Sequence, residues 1–193
     1  MKTIVIIGGM GPQASLHAQK RLQEKLHKAN KLANIVNVTL EVKPFHSDTP
    51  YLELSDEQRT LLYGINADVG FIACNTAHHF FDIFQACVKF KLEHLVNNCP
   101  IPNGAIVLCS QTSRDLQLFG NVSYVNLEEM RVLSSIISSV NKFEKHVSLQ
   151  AVTEIHNETL VFGCTELSLV AFQENLEGID TLEVTIDKIV NEL

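Results

Sequence analysis

No two cysteines in this chain form a Cys-x-x-Cys pair, no apolar stretch approaches a membrane span, and no block of like charge interrupts the sequence. Low-complexity tracts and long linkers are lacking too. Each absence removes a class of protein. A formal net charge of −7 without a basic patch argues against a nucleic-acid partner. The opening apolar run, Ile4 to Ile7, is too short for a signal-peptide core or a membrane helix. It is followed by turn residues and reads as a first buried strand. Five cysteines, an odd number, without a secretion signal imply reduced thiols and a cytoplasmic location. The turn Gly8-Gly9-Met10-Gly11-Pro12 is not a GxGxxG fingerprint and lacks the lysine of a P-loop, which weakens a phosphate-cradle reading. His78-His79 and the cysteines around them suit no common zinc spacing, so no metal site is assigned.

What is present is an alternation of strand-like and helix-like segments. With 193 residues, 46% of them hydrophobic, the chain can build one large core or two small ones. Strands are predicted over 3–7, 35–42, 69–73, 92–96, 105–109, 123–125 and 159–162. Helices are predicted over 13–29, 55–63, 76–89, 110–117, 127–143, 165–172 and 182–193. Strands spaced by helices argue for parallel sheets in an α/β protein. The second half repeats the order of the first, which predicts two similar lobes, each a mostly parallel sheet flanked by helices. The N-terminal lobe is assigned to 1–99 and the C-terminal lobe to 100–179, with the last helix, 180–193, returning to the first lobe. An active site is expected in the cleft between them, at the carboxyl ends of strands.

Two segments carry the chemistry. Phe71-Ile72-Ala73-Cys74-Asn75-Thr76-Ala77-His78 and Val161-Phe162-Gly163-Cys164-Thr165-Glu166 each run an apolar stretch into a cysteine and then into a helix-like pattern. A cysteine at a helix start sits where the positive end of the helix dipole favours a thiolate. Two such cysteines facing each other would remove a proton from one side of a carbon and return one to the other. Taken singly, a cysteine that ends a buried strand is a small core residue, and Cys87, Cys99 and Cys109 are read that way.

Together with the Gly8–Pro12 turn, the motifs Cys74-Asn75-Thr76-Ala77-His78 and Gly163-Cys164-Thr165-Glu166 resemble the aspartate/glutamate racemase superfamily, in its aspartate-racemase branch. Glutamate racemases typically carry an Asp-Ser-Gly turn in the first position and histidine where this chain has Glu166. The resemblance spans nearly the whole chain and implies a cofactor-independent isomerase acting on a free amino acid, with a homodimer as the possible assembly. It implies Cys74 and Cys164 as the two acid/base groups. Asn75, Thr76 and Thr165, with backbone N–H groups at two helix starts, are then placed to hold charge growing on the substrate carboxylate. Met10 and Gly11 would bring backbone close to the substrate, glycine sparing the space of a side chain. Thr49, Thr112 and Lys142 complete the expected binding set. Glu166 is read either as tuning Cys164 and holding the substrate ammonium, or as a plain dipole partner at a helix start.

The chain departs from that pattern at three places. The loop that carries a carboxylate-binding arginine in aspartate racemases reads His46-Ser47-Asp48-Thr49-Pro50-Tyr51, with no arginine. The usual Thr-Gly-Thr turn of the second lobe reads Ser110-Gln111-Thr112-Ser113. Between Leu95 and Ala105 the chain is shorter than the family pattern and is expected to lack a helix. An acidic, aspartate-like amino acid leads the substrate expectation. A shifted substrate, a related isomerase or decarboxylase, and a small-molecule-binding protein with weak catalysis are the alternatives. Arg59 and Lys142 are the basic residues that could approach a distal carboxylate.

Overall fold

A computed structural model of the chain describes residues 1–41, 52–144 and 147–193. The apolar run at the start forms β1 (Lys2–Gly8), with Ile4, Val5, Ile6 and Ile7 fully buried, as befits a central strand covered on both faces. It pairs in parallel with β2 (Ala33–Thr39) and β3 (Val69–Ile72), and β3 pairs with β4 (Lys91–Glu93). The second sheet holds β5 (Ile106–Leu108), β6 (Ser123–Tyr124), β7 (Leu160–Phe162) and β8 (Ile179–Asp180), again all parallel. The sheet orders are β2-β1-β3-β4 and β6-β5-β7-β8, the same topology twice. In each, the chain order reverses between the two central strands, the switch point where α/β folds bind ligands.

The helices follow their local signals. Pro12 opens α1 (Pro12–Lys28), where its missing N–H costs nothing. Ser55 and Gln58 form a reciprocal capping box at α2 (Asp56–Gly64), and Asn126 and Glu129 form another at α6 (Leu127–Asn141). α5 (Gln111–Asp115) is capped by Ser110 and α9 (Thr181–Glu192) by Asp180. α8 (Thr165–Glu174) ends on Asn175 in the left-handed region, a common helix terminator.

Several segments differ from expectation. The helix predicted over 76–89 is instead a 3-10 turn (Thr76–Phe80) followed by α3 (Phe81–Ala86). Side chains of that turn are tied to other elements, and tertiary bonds outweigh helix propensity. The strand predicted over 92–96 splits into β4 and the single-turn α4 (Leu95–Asn98), so a short helix does stand in the stretch expected to lack one. His94 caps α4 by accepting from the Asn97 N–H at 3.2 Å, a role its sequence context does not announce. A second short helix, α7 (Gln150–Thr153), and strand β8 carry too few residues to show a periodic pattern.

α9 packs beside α1 against the first sheet. Leu182, Ile186, Ile189 and Val190 share one buried cluster with Ile4, Ile6, Ala18, Leu22 and Phe71. Polar bonds reinforce the seam, with Lys31 Nζ donating to Val190 O at 2.7 Å and Lys188 Nζ to Glu93 Oε2 at 2.7 Å. α1 also meets α8 of the second lobe, where the Arg21 guanidinium lies 4.2 Å over the Phe172 ring. Ile186 is fully buried in this cluster. Ile186→Ala should therefore destabilise the protein by about 2–5 kcal/mol, measured by urea unfolding. A loss below about 0.5 kcal/mol would show that α9 does not depend on this docking.

Candidate active site

Strand register places the two cysteines at equivalent points. Ile7 pairs with Ile72 and Leu108 with Phe162, and each cysteine lies two residues beyond its strand's last pair. The ladder continues identically, with Ala73 N donating to Ile7 O and Gly163 N to Leu108 O, both at 2.8 Å. Cys74 is partly buried against the first lobe's core, as is Met10, while Cys164 is buried in the second lobe's core.

The two motifs touch across the lobes. The Thr165 hydroxyl lies 3.3 Å from both the Ala73 carbonyl and Glu166 Oε2, and its one proton serves one or the other. The Thr76 hydroxyl forms a triad with Ser110 and Ser113 of the second lobe, at 3.0 and 2.8 Å, and those serines are 3.0 Å apart. Asn75 Nδ2 donates to Thr181 Oγ1 at 2.8 Å, and the side-chain Oδ1 of Asn75 is buried without a partner among the described residues. The side chains expected to face a substrate carboxylate thus have protein partners. Backbone N–H groups are the donors that approach the thiols, from Thr76 and Ala77 toward Cys74 and from Glu166 and Leu167 toward Cys164.

Glu166 stands at the centre. Cys164 Sγ donates to its Oε2 at 3.1 Å and Asn141 Nδ2 approaches its Oε1 at 3.3 Å. A Cβ at Gly11 would collide with that Oε1, so the glycine makes room for a carboxylate. Gly9 has a different constraint. Its φ of 110° suits only glycine, and a Cβ there would strike the Leu40 backbone.

The electrostatics run against the thiolate expectation. Burial, then the charge of Glu166, pushes the Cys74 thiol up to about 12 despite two backbone donors. Burial, the Glu166 charge and the hydrogen bond to Glu166 raise Cys164 well above the usual thiol range. The helix-start donors are present, but desolvation and a like charge outweigh them.

Other expected residues fall elsewhere. Lys142 is exposed just past α6, while its neighbour Asn141 turns to Glu166. Arg59 donates to Leu54 O at 3.1 Å and approaches Cys87 Sγ at 3.6 Å, which commits it to the first lobe's packing. Thr112 is partly buried on α5. Thr49 lies outside the described residues, as do His46 and Asp48. Asn141, Ser113 and Thr181 join the site without having been singled out. Only Ser113 carried a local signal, standing three residues after a helix-capping serine.

This α/β architecture, two parallel sheets of one order meeting at their switch points, is the fold of known racemase-like structures. The chain is similar to an aspartate racemase homologue from Pyrococcus horikoshii OT3, with a TM-score of 0.63 and 20% identity, covering 100% of this chain and 99% of that one. It is similar also to a Yersinia pestis protein described as a candidate Asp/Glu racemase, with a TM-score of 0.66 and 14% identity over 100% and 99% of the two chains. No protein-family model matches the sequence, and no curated protein does so. Among the described residues, no helix is long and apolar enough to cross a membrane.

Since burial and Glu166 keep both thiols protonated at neutral pH, their alkylation should be slow. It should rise about tenfold per pH unit with no plateau below about pH 9. Peptide mapping after iodoacetamide treatment measures this, and Glu166→Gln should speed both reactions by removing a like charge. A plateau near neutral pH would mean standing thiolates.

Proposed function

We propose that the chain is a cofactor-independent amino-acid racemase in which Cys74 and Cys164 serve opposite faces of the substrate's α-carbon. The observation that carries this reading is the register. The same element of two like-ordered sheets ends in a cysteine, and the residues beside the two cysteines touch across the lobes. In the forward direction one cysteine, as thiolate, takes the α-proton while the other, as thiol, donates from the far side. The reverse reaction exchanges the roles, so both enantiomers are substrates. The backbone N–H groups at the starts of the 3-10 turn and α8 would stabilise charge on the carboxylate as the α-carbon gives up its proton. Glu166 would receive the substrate ammonium. Burial is the larger cause of the raised thiols and the Glu166 charge the second, so a cation beside Glu166 would offset the second and bring a thiolate nearer.

Aspartate heads the substrate list because the fold's neighbours are described as an aspartate racemase homologue and an Asp/Glu racemase. Neutral analogues stand beside it, because Lys142 is exposed and Arg59 is committed to Leu54 and Cys87. Losing a charge-assisted bond to a distal carboxylate costs on the order of 1.5–3 kcal/mol. The second reading is a small-molecule-binding protein on the same fold, favoured by the strongly raised thiols.

The deciding experiment is α-proton exchange in deuterated water across a panel of D- and L-amino acids. Racemisation should occur with at least one member, and Cys74→Ser and Cys164→Ser should each lower kcat/KM by at least about a hundredfold while leaving unfolding unchanged. Near-normal racemisation in either mutant would sink the two-base assignment. Silence across the panel with measurable ligand binding would favour the binding protein.

A further inference from the structure

A second set of side chains lies directly behind Cys74. His78 is 3% exposed and bridges two backbone groups, with Nδ1 2.8 Å from Cys74 O and Nε2 3.2 Å from the Leu95 N–H. An amide N–H can only donate, so Nε2 must be the bare nitrogen and Nδ1 must carry the proton toward the carbonyl. Leu95 is the first residue of α4, and the cap of that helix is a second imidazole. His94 Nδ1 accepts from the Asn97 N–H, so it too must be bare. The two rings are 4.6 Å apart, and Phe81 lies 4.6 Å from His94 and 5.8 Å, stacked, from His78. The cap side opens into a cavity of about 550 Å³ lined by His78, His79, Phe81, Asp82, His94 and Lys188.

We propose that His78 and His94 are positioning residues for Cys74, forming a two-imidazole latch that holds its loop to α4 only while both rings are neutral. The proposal rests on Cys74 being a reacting thiol, though the latch itself is tested without turnover. His78 cannot lose its acceptor role without freeing the Leu95 N–H inside the core. His94 cannot gain a proton without surrendering the cap of a helix only four residues long. Both rings line the cavity, but His94 is the sensitive member because it is half-buried, whereas His78 is 3% exposed.

The groups facing the pair are of both signs. Asp82 of α3 draws a proton toward His94, and His78 and His79 come from the 3-10 turn. Glu93 of β4 is held by Lys188 of α9 and Lys91 of β4, so its charge is answered within its own network. Burial lowers His94 from its ordinary value despite Asp82, and burial, with His94 beside it, lowers His78 to about 3. Both depressed values favour the neutral rings. Their contribution is fully present above the ordinary histidine value of 6.5 and is lost as the pH falls below it.

The test is competitive labelling. Both thiols titrate far above the working pH, so their thiolate fractions fall together in acid and the ratio of Cys74 to Cys164 alkylation cancels that fall. Between about pH 7.5 and about pH 5 the ratio should rise about five-fold, the population shift that loss of one cap hydrogen bond produces. In His94→Asn, which keeps a capping acceptor without a titrating one, the ratio should stay flat. A flat ratio in the unmodified protein, or the same rise in both proteins, overturns the latch. Long-range proton–nitrogen spectra of the imidazoles give an independent reading. His78 should hold its proton on Nδ1 at both pH values, and a proton on Nε2 or a charged ring would overturn the assignment. A supported latch with no α-proton exchange would remove the racemase reading while leaving the latch in place.

Discussion

Where the carboxyl ends of two sheets meet, polar groups leave water together, and each must find a partner or cost about 1–3 kcal/mol. Glu166, 7% exposed, is the most demanding of them. It is satisfied by Cys164 and Asn141 directly, by Thr165 in one setting of its hydroxyl, and by the space Gly11 leaves. Those contacts draw on α1's entry turn, the end of α6 and the start of α8, so the carboxylate's needs align elements from both halves of the chain.

The same requirement explains the hydroxyl triad. Thr76 comes from the first lobe and Ser110 and Ser113 from the second, and each uses the others to satisfy a group that burial would otherwise orphan. The junction joins the turn after β3 to the cap and first turn of α5 after β5, so its geometry depends on how the two sheets are placed against each other. It also has a chemical consequence. Burial and the Glu166 carboxylate raise both thiols above the ordinary range despite the donors at the helix starts.

Much of this was legible in the chain. The central strands carry apolar runs, and the repeated order of elements announces two like sheets. These signals are local, and local physics suffices to read them. The motif segments that hold Cys74, Cys164, Gly11 and Glu166 fall together, as their expected place at strand ends implied. Their ionisation was not legible, because a helix start is a sequence feature whereas burial and a carboxylate's distance are not.

The boundary lies at hydrogen bonds between residues far apart in sequence. Asn141 was missed while its neighbour Lys142 was chosen, because only the exit angle of α6 decides which of two adjacent residues turns inward. The 76–89 segment has helical composition, yet its first turn is 3-10, because Thr76 and His78 bond to Ser110, Ser113 and Leu95. Composition and periodicity by themselves determined the α/β alternation. Tertiary structure alone decided which side chains meet and which protons they hold, because desolvation and hydrogen-bond pairing depend on distances that no single stretch of chain contains.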